Sequence, residues 1–269
     1  MMPADVDPGH AARIERAFAA QAAAFEDART NRPFTTDAAW MLETLSPARD
    51  DLVLDVAAGT GIVARALAPA VRAVVALDAT EAMLAAGRSA ALETGMRNIV
   101  FVRGDAHALP FLDASFDVVV TRFSVHHFEA PAGPLAEMAR CLRPGGTLLV
   151  GDLLADDDPA VATEQDRLER LRDPSHTRLQ TAADLEELLH DAGMHDVAIA
   201  TRDVERPLAP WPAHTRTAPA AAEEVERALR AELAGGAHTG LRPREAAGGL
   251  HFVHRYAAAT GRRPPTALP

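Results

Sequence analysis

From residue 51 the chain settles into an alternation that leaves few folds open to it. Apolar runs of strand length, Leu52–Val56, Val71–Leu77, Ile99–Val102, Phe116–Val120 and Thr147–Val150, are separated by alanine-rich stretches at helical spacing near 61–69, 80–92 and 132–141. Strand, helix, strand in repetition predicts an α/β, doubly wound parallel sheet with right-handed crossovers and helices on both faces. Such sheets bind ligands outside the carboxyl ends of their strands, so the loops at those ends hold the candidate chemistry.

The flanking segments read as decoration. Ile14, Phe18, Ala22 and Phe25 give residues 11–28 an amphipathic helical face, Arg29 to Pro33 break it, and a second helix is predicted from Thr36 to Leu45, capped by Thr36 or Asp37. Residues 1–50 therefore form a helical cap and 51–260 the main domain. Beyond the fifth strand a charged helix over 160–172 and the turn Asp173-Pro174-Ser175-His176 belong to an insert, 155–180. A helix from Thr181 to Leu189, a strand over Val197–Val204, a helix over Ala220–Leu233, a Gly-rich connector at 235–249 and a strand over Leu250–Ala258 follow, with 261–269 expected to be a disordered tail.

Composition removes several kinds of chemistry. All 27 basic residues are arginine, so no lysine is present for a Schiff base, a pyridoxal phosphate anchor or a Gly-Lys-Ser phosphate loop. The net charge of −11 disfavours a nucleic-acid partner, which needs a basic stripe. No apolar run approaches the roughly 20 residues that span a bilayer, and the lone Cys141, expected to be a buried hydrophobe, permits no intrachain disulfide. No membrane partner, a cytoplasmic location and a monomer or homodimer are the expectations.

The informative segment is Leu54-Asp55-Val56-Ala57-Ala58-Gly59-Thr60-Gly61, a buried strand entering a glycine turn that opens a helix. Gly59-x-Gly61-x-x-Ala64 also satisfies the dinucleotide fingerprint, with Asp78 near the ribose-binding distance, which would make the chain an NAD-dependent oxidoreductase. Charge decides against that reading. Asp55 would repel a pyrophosphate, whereas Asp55, Asp78 and Asp105 along one sheet edge suit a cationic nucleoside such as S-adenosylmethionine. A catalytic Tyr-x-x-x-Lys pair is likewise ruled out by the missing lysine.

With Ala76-Leu77-Asp78, Gly104-Asp105-Ala106, Leu109-Pro110-Phe111, Phe116-Asp117-Val118-Val119 and Leu142-Arg143-Pro144-Gly145-Gly146 in the same order, the chain resembles the class I S-adenosylmethionine-dependent methyltransferases. It is particularly similar to the small-molecule group around the ubiquinone/menaquinone C-methyltransferases. The resemblance implies a Rossmann-like seven-stranded sheet whose last strand, supplied by Leu250–Ala258, inserts antiparallel beside the fifth. It implies S-adenosyl-L-methionine as cofactor and S-adenosyl-L-homocysteine as product. Asp55, Ala57, Gly59 and Gly61 would face the methionine moiety and Asp78 the ribose. Ala79 and Met83, with Thr80, would border the adenine, and Asp105 and Ala106 would bind it.

The acceptor, a small molecule methylated on oxygen, carbon or nitrogen, is expected between the fourth-strand loop, the N-terminal helix and the insert. Arg122 at the strand end suits the donor carboxylate or an anionic acceptor. His126 and His127 are candidate bases, although two adjacent histidines are not expected to face one pocket. In the insert, His176 is a further catalytic candidate and Asp173 and Arg178 substrate contacts; a structural turn with Arg178 paired to a helix-end carboxylate is the alternative. Phe18, Phe25 and Phe34 are candidates to close the pocket from the N-terminal side, Phe25 as a substrate contact, with a helix-core stripe as the more frequent explanation of such a pattern. The spacing of His126, His127, Asp173 and His176 lacks the paired signature of a zinc site. A protein that retains this fold but catalyses a non-methylating reaction is the remaining rival.

Overall fold

A computed structural model describes residues 8–26 and 38–265. In chain order the elements are α1 (Pro8–Glu26), α2 (residues 38–42), β1 (Leu52–Val56), α3 (Ile62–Leu67), β2 (Ala73–Asp78), α4 (Glu81–Glu93), β3 (Ile99–Arg103), β4 (Phe116–Arg122), α5 (Ala132–Cys141) and β5 (Leu142–Leu153). They continue with α6 (Pro159–Arg172), α7 (Ala182–Asp191), β6 (His195–Pro207), α8 (Trp211–His214), α9 (Pro219–Leu233), β7 (Arg244–Ala246) and β8 (Gly249–Arg262). The sheet runs β3-β2-β1-β4-β5-β8-β6, with β7 paired to β8.

The five predicted strands are present and parallel, and β8 lies antiparallel between β5 and β6. The chain reverses direction on either side of β1, towards β2 and towards β4, so the loops after β1 and β4 diverge and open a crevice at their carboxyl ends. Apolar side chains fill both faces of the sheet. Leu54, Val56, Val119, Leu148 and Val150 pack under α5 and α7, and Val53, Val74, Val118, Val120 and Leu149 pack on the opposite side. Cys141 is buried among the first set, as its residue type suggests.

A third apolar cluster joins Leu168 of α6, Trp211 of α8, Val225 and Leu229 of α9 and Phe252 of β8. It supports the outer ends of β6 and β8 and makes the C-terminal decoration a packed layer. Local chemistry sets the helix starts there. The Asp158 side chain caps α6 through the Ala160 N–H, and Thr181 forms a reciprocal capping box with Asp184 at α7.

Two expectations need correction. Part of the 235–249 connector is ordered as β7, because Arg244–Ala246 pairs with the start of β8. Gly261 and Arg262 belong to β8, and Arg263 exchanges backbone hydrogen bonds of 2.9 Å with Gly145 and Gly146, so the expected tail is tied down through residue 263. The predicted cap at Thr36 or Asp37, the breaker at 29–33, Phe34 and residues 266–269 lie outside the described residues.

Gly87 on α4 lies against the glycine turn. A Cβ there would stand 2.5 Å from the Thr60 carbonyl oxygen and 2.7 Å from the Phe101 ring. Ala favours a helix over Gly by about 1 kcal/mol, but overpacking against backbone costs about 1–3 kcal/mol. Gly87→Ala is therefore expected to lower stability, read as a reduced denaturant midpoint; an unchanged or raised midpoint would show that the turn yields.

Candidate active site

The crevice is a cavity of about 750 Å3 at the carboxyl ends of β1, β2 and β4. Of the residues expected to hold a cofactor, Asp55, Ala57, Gly59, Asp78, Ala79, Met83, Asp105, Ala106 and Arg122 line it. Gly61 does not. Its φ of +75° and the Phe101 ring 2.9 Å from a hypothetical Cβ make it the residue that lets the turn pack closely under α4.

Two aspartates organise the turn. Asp78 at the end of β2 accepts the Gly59 N–H at 2.7 Å through one oxygen and the Thr80 N–H at 2.8 Å through the other. Asp55 is 1% exposed and accepts the Ala64 N–H at 3.0 Å. Burial pushes the Asp55 carboxyl up to about 7; the Ala64 N–H and the Arg122 charge offset part of that, and Asp78 adds to it. Burial also raises Asp78, against the opposing pull of its backbone donors. Asp105 binds the backbone N–H and Nδ1 of His107 through one oxygen, each at 2.9 Å.

The residues fit a cationic nucleoside on independent grounds. Two carboxyls, the buried Asp55 and the half-buried Asp78, are held above their ordinary range, so a ligand cation beside them would relieve an existing cost. In the same turn the Thr60 hydroxyl is buried without a hydrogen-bond partner among the described residues. A Cβ built on Gly59 meets nothing within 4 Å, leaving that side of the turn open.

Both His126 and His127 line the cavity, contrary to expectation. Val125–His127 is a 3-10 turn, which keeps both rings on one side with centroids 4.1 Å apart. Their environments differ. His126 Nδ1 lies 2.5 Å from Asp152 Oδ1, and its backbone N–H reaches Asp152 Oδ2 at 3.2 Å. Burial opposes a charge on His126, but the Asp152 carboxylate outweighs it and the pKa rises. His127 Nδ1 lies 3.0 Å from the Ser175 carbonyl, which only accepts, so Nδ1 carries the proton and donates. Burial and the neighbouring His126 charge depress His127 to about 3.

The insert touches this pair through residues other than those expected. Thr177 donates from its N–H (2.8 Å) and hydroxyl (2.7 Å) to the His126 carbonyl, and Ser175 binds His127. Asp173, as expected, lines the cavity, and it holds the turn by accepting from the Ser175 N–H and hydroxyl. His176 does not line it; its Nε2 lies 2.8 Å from Asp166 Oδ1, beneath the insert. Arg178 is also elsewhere, exposed and 2.8 Å from Asp184, the helix-end carboxylate of the alternative reading.

Phe18 and Phe25 of α1 close the cavity on one side, with the Phe18 ring edge-on to His127 at 5.1 Å. Ion pairs from Glu15 to Arg103 (3.0 Å) and from Glu26 to Arg65 (2.8 Å) hold α1 there. The sequence reading missed the far wall, made by Arg172, Arg206, Trp211, His254 and Tyr256. One signal for it existed: Phe252, His254 and Tyr256 alternate along one strand, and Tyr256 is the chain's only tyrosine.

A family described as a methyltransferase domain matches residues 54–150. The uncharacterized methyltransferase YcgJ of Bacillus subtilis is 39% identical over 142 residues, 53% of this chain and 56% of that protein. The demethylmenaquinone methyltransferase of Clavibacter sepedonicus is 33% identical over 184 residues, which cover 66% of this chain and 73% of that one. The chain belongs to the class I S-adenosylmethionine-dependent methyltransferases. The crystal structure of YcgJ superposes with a TM-score of 0.77 at 25% identity, covering 85% of this chain and 98% of that one. The sequence match, by contrast, spans little more than half of YcgJ's length. The far wall of the cavity lies after residue 150, beyond the family match. Among the described residues no helix is long and apolar enough to cross a membrane.

Asp55→Asn should separate stability from binding. The folded protein holds the Asp55 proton up to about pH 7, whereas the unfolded chain releases it near the ordinary value of 3.8. The wild type therefore loses stability as pH rises between those values, by up to roughly 4 kcal/mol at 1.36 kcal/mol per unit. The ligand-free Asn variant is expected to outlast the wild type above pH 7 and to converge with it in acid, read by denaturant unfolding. A variant less stable at every pH would refute the assignment.

Proposed function

We propose that the protein transfers the methyl group of S-adenosylmethionine to a small-molecule acceptor by in-line displacement, the methylated atom being oxygen, carbon or nitrogen. The observation that carries this reading is the pair of carboxyls, the buried Asp55 and the half-buried Asp78, bracketing an open glycine turn in one wall of the cavity. Asp55 would face the ligand's ammonium and Asp78 its ribose. Met83, Thr80 and Ala79 would border the adenine, with Asp105 and Ala106 at its edge and Arg122 at its carboxylate. When bound, the cofactor supplies an electrophilic sulfonium methyl.

The chain's own contribution is placement, exclusion of water and custody of one proton. Residues 1–50 act as a cap and 155–180 as a brace over the acceptor. His126 is the residue suited to hold a proton, because Asp152 fixes its tautomer and balances the imidazolium. His127, depressed to about 3, does not hold a second proton near neutrality and serves as a neutral wall. His176 acts on the cavity from behind, its ring 5.5 Å from that of His126, and Arg178 acts through the insert it stabilises. The demethylmenaquinone relatives make a quinol-like ring carbon one acceptor worth including.

Labelled S-adenosylmethionine offered with a panel of phenols, quinols, amines and keto acids tests this directly. Transfer to one class is expected, and His126→Asn should lower turnover by about 10²-fold or more while leaving S-adenosylhomocysteine affinity within about twofold. Cofactor binding without transfer to any acceptor would favour a non-methylating reaction, and NAD binding in its place would defeat the reading.

A further inference from the structure

The wall beyond the family match has a chemistry of its own. Half of the chain's twelve Phe, Trp and Tyr residues line this one cavity, in a protein that is only 4% aromatic. Within the far wall the His254 ring stands between Trp211, at 5.5 Å, and Tyr256, at 6.2 Å. Behind it lies Glu169 of α6, fully buried, with Oε1 2.8 Å from His254 Nε2 and Oε2 3.0 Å from Arg172 Nε. The Arg172 guanidinium in turn lies 5.0 Å over the Trp211 ring. Arg206 reaches the Tyr256 hydroxyl with Nε at 3.0 Å and Nη2 at 2.7 Å.

These contacts fix the state of the imidazole. Although burial opposes its charge, Glu169 is held below the usual carboxylate range by Arg172 and His254, so it is an ionised acceptor. His254 Nε2 must therefore carry the proton and donate it. Burial lowers the His254 pKa despite Glu169, which keeps the ring neutral near pH 7. Nδ1 is then a hydrogen-bond acceptor, and among the described residues the ring's hydrogen bond is the one to Glu169. A neutral, tautomer-locked nitrogen in an aromatic wall selects a ligand that donates a hydrogen bond.

Charge narrows the donor. Glu169 favours a positive charge on His254 and the guanidiniums of Arg172 and Arg206 oppose one. Because the Glu169 carboxylate is already bonded to His254 Nε2 and Arg172 Nε, an ammonium group brought to Nδ1 would meet the two guanidiniums without a carboxylate of its own. A hydroxyl on a conjugated ring meets both demands, since it donates its proton and its oxygen is electron-rich.

We propose that the far wall is the acceptor-recognition site, that it takes a planar phenolic or enolic acceptor, and that His254 Nδ1, locked by the buried Glu169, receives the acceptor's hydroxyl. The proposal rests on the methyl-transfer reading for the word acceptor, but the binding it describes stands on the His254 geometry. His254 is here a specificity residue.

The test uses matched probes on the full chain loaded with S-adenosylhomocysteine: 2-naphthol, its methyl ether 2-methoxynaphthalene, and 2-naphthylmethylamine, which is cationic near neutral pH. The wild type is expected to bind naphthol about tenfold or more tighter than the ether, one satisfied hydrogen bond in an apolar wall, and to bind the amine weakest. His254→Asn should bring naphthol and ether to within about twofold of each other while leaving S-adenosylhomocysteine affinity unchanged. Retained cofactor affinity certifies the fold; if His254→Asn loses it, His254→Gln, closer in volume, takes its place. Equal binding of naphthol and ether, a preference for the amine, or a naphthol preference that survives loss of His254 overturns the proposal. Should S-adenosylhomocysteine fail to bind the wild type, the cofactor reading fails, and the same naphthol comparison is read on the ligand-free protein.

Discussion

The hydrogen bond from the Gly59 N–H to the Asp78 carboxylate joins the two strand ends on which the site depends. It ties the turn leaving β1 to the end of β2, while the other oxygen of Asp78 takes the Thr80 N–H and sets the start of α4. Asp55 binds the Ala64 N–H from the opposite flank. The turn is thus held open by acids that burial has made uncomfortable. That cost, of the order of several kcal/mol for a carboxyl shifted by about three units, is tolerable only in a protein whose sheet is packed on both faces. It also gives the cavity a standing affinity for positive charge, so stability and ligand binding draw on the same residue in opposite senses.

Around that turn the cavity has two chemical ends. The donor end is built from consecutive strand ends of the parallel sheet and is acidic. The far wall is built from α6, β6, α8 and β8, stabilised by a separate apolar cluster, and is aromatic and rich in guanidinium groups. Between them the His126 and His127 pair is clamped from below by Asp152 and from above by Ser175 and Thr177. The clamp makes neighbouring imidazoles unlike: one is charged readily because a carboxylate faces it, and the other stays neutral because burial and its neighbour's charge both oppose a proton there.

The donor end was legible in the chain because its determinants are local. Asp55, Gly59 and Asp78 each sit at a strand end that the apolar runs locate within a residue or two. The antiparallel β8 was legible only through resemblance, since periodicity alone does not order strands in a sheet. The insert shows why contiguous polar residues mislead. Asp173, Ser175 and Thr177 face the histidine pair and the cavity, while His176 and Arg178, at alternate positions, turn to Asp166 and Asp184. The far wall left only the alternation of Phe252, His254 and Tyr256 in the sequence, because Glu169 and His254 stand 85 positions apart and meet only through the packing of α6 against β8.

The most direct test of the central claim is the proton balance of cofactor binding. Calorimetric titration of S-adenosylmethionine near pH 7, in buffers of different ionisation enthalpy, reads how many protons the protein exchanges. If a cation binds beside a carboxyl held at about 7, binding should release a substantial fraction of one proton. The release should vanish well above that pH and in Asp55→Asn. Proton uptake, or a release unchanged in Asp55→Asn, would contradict the account.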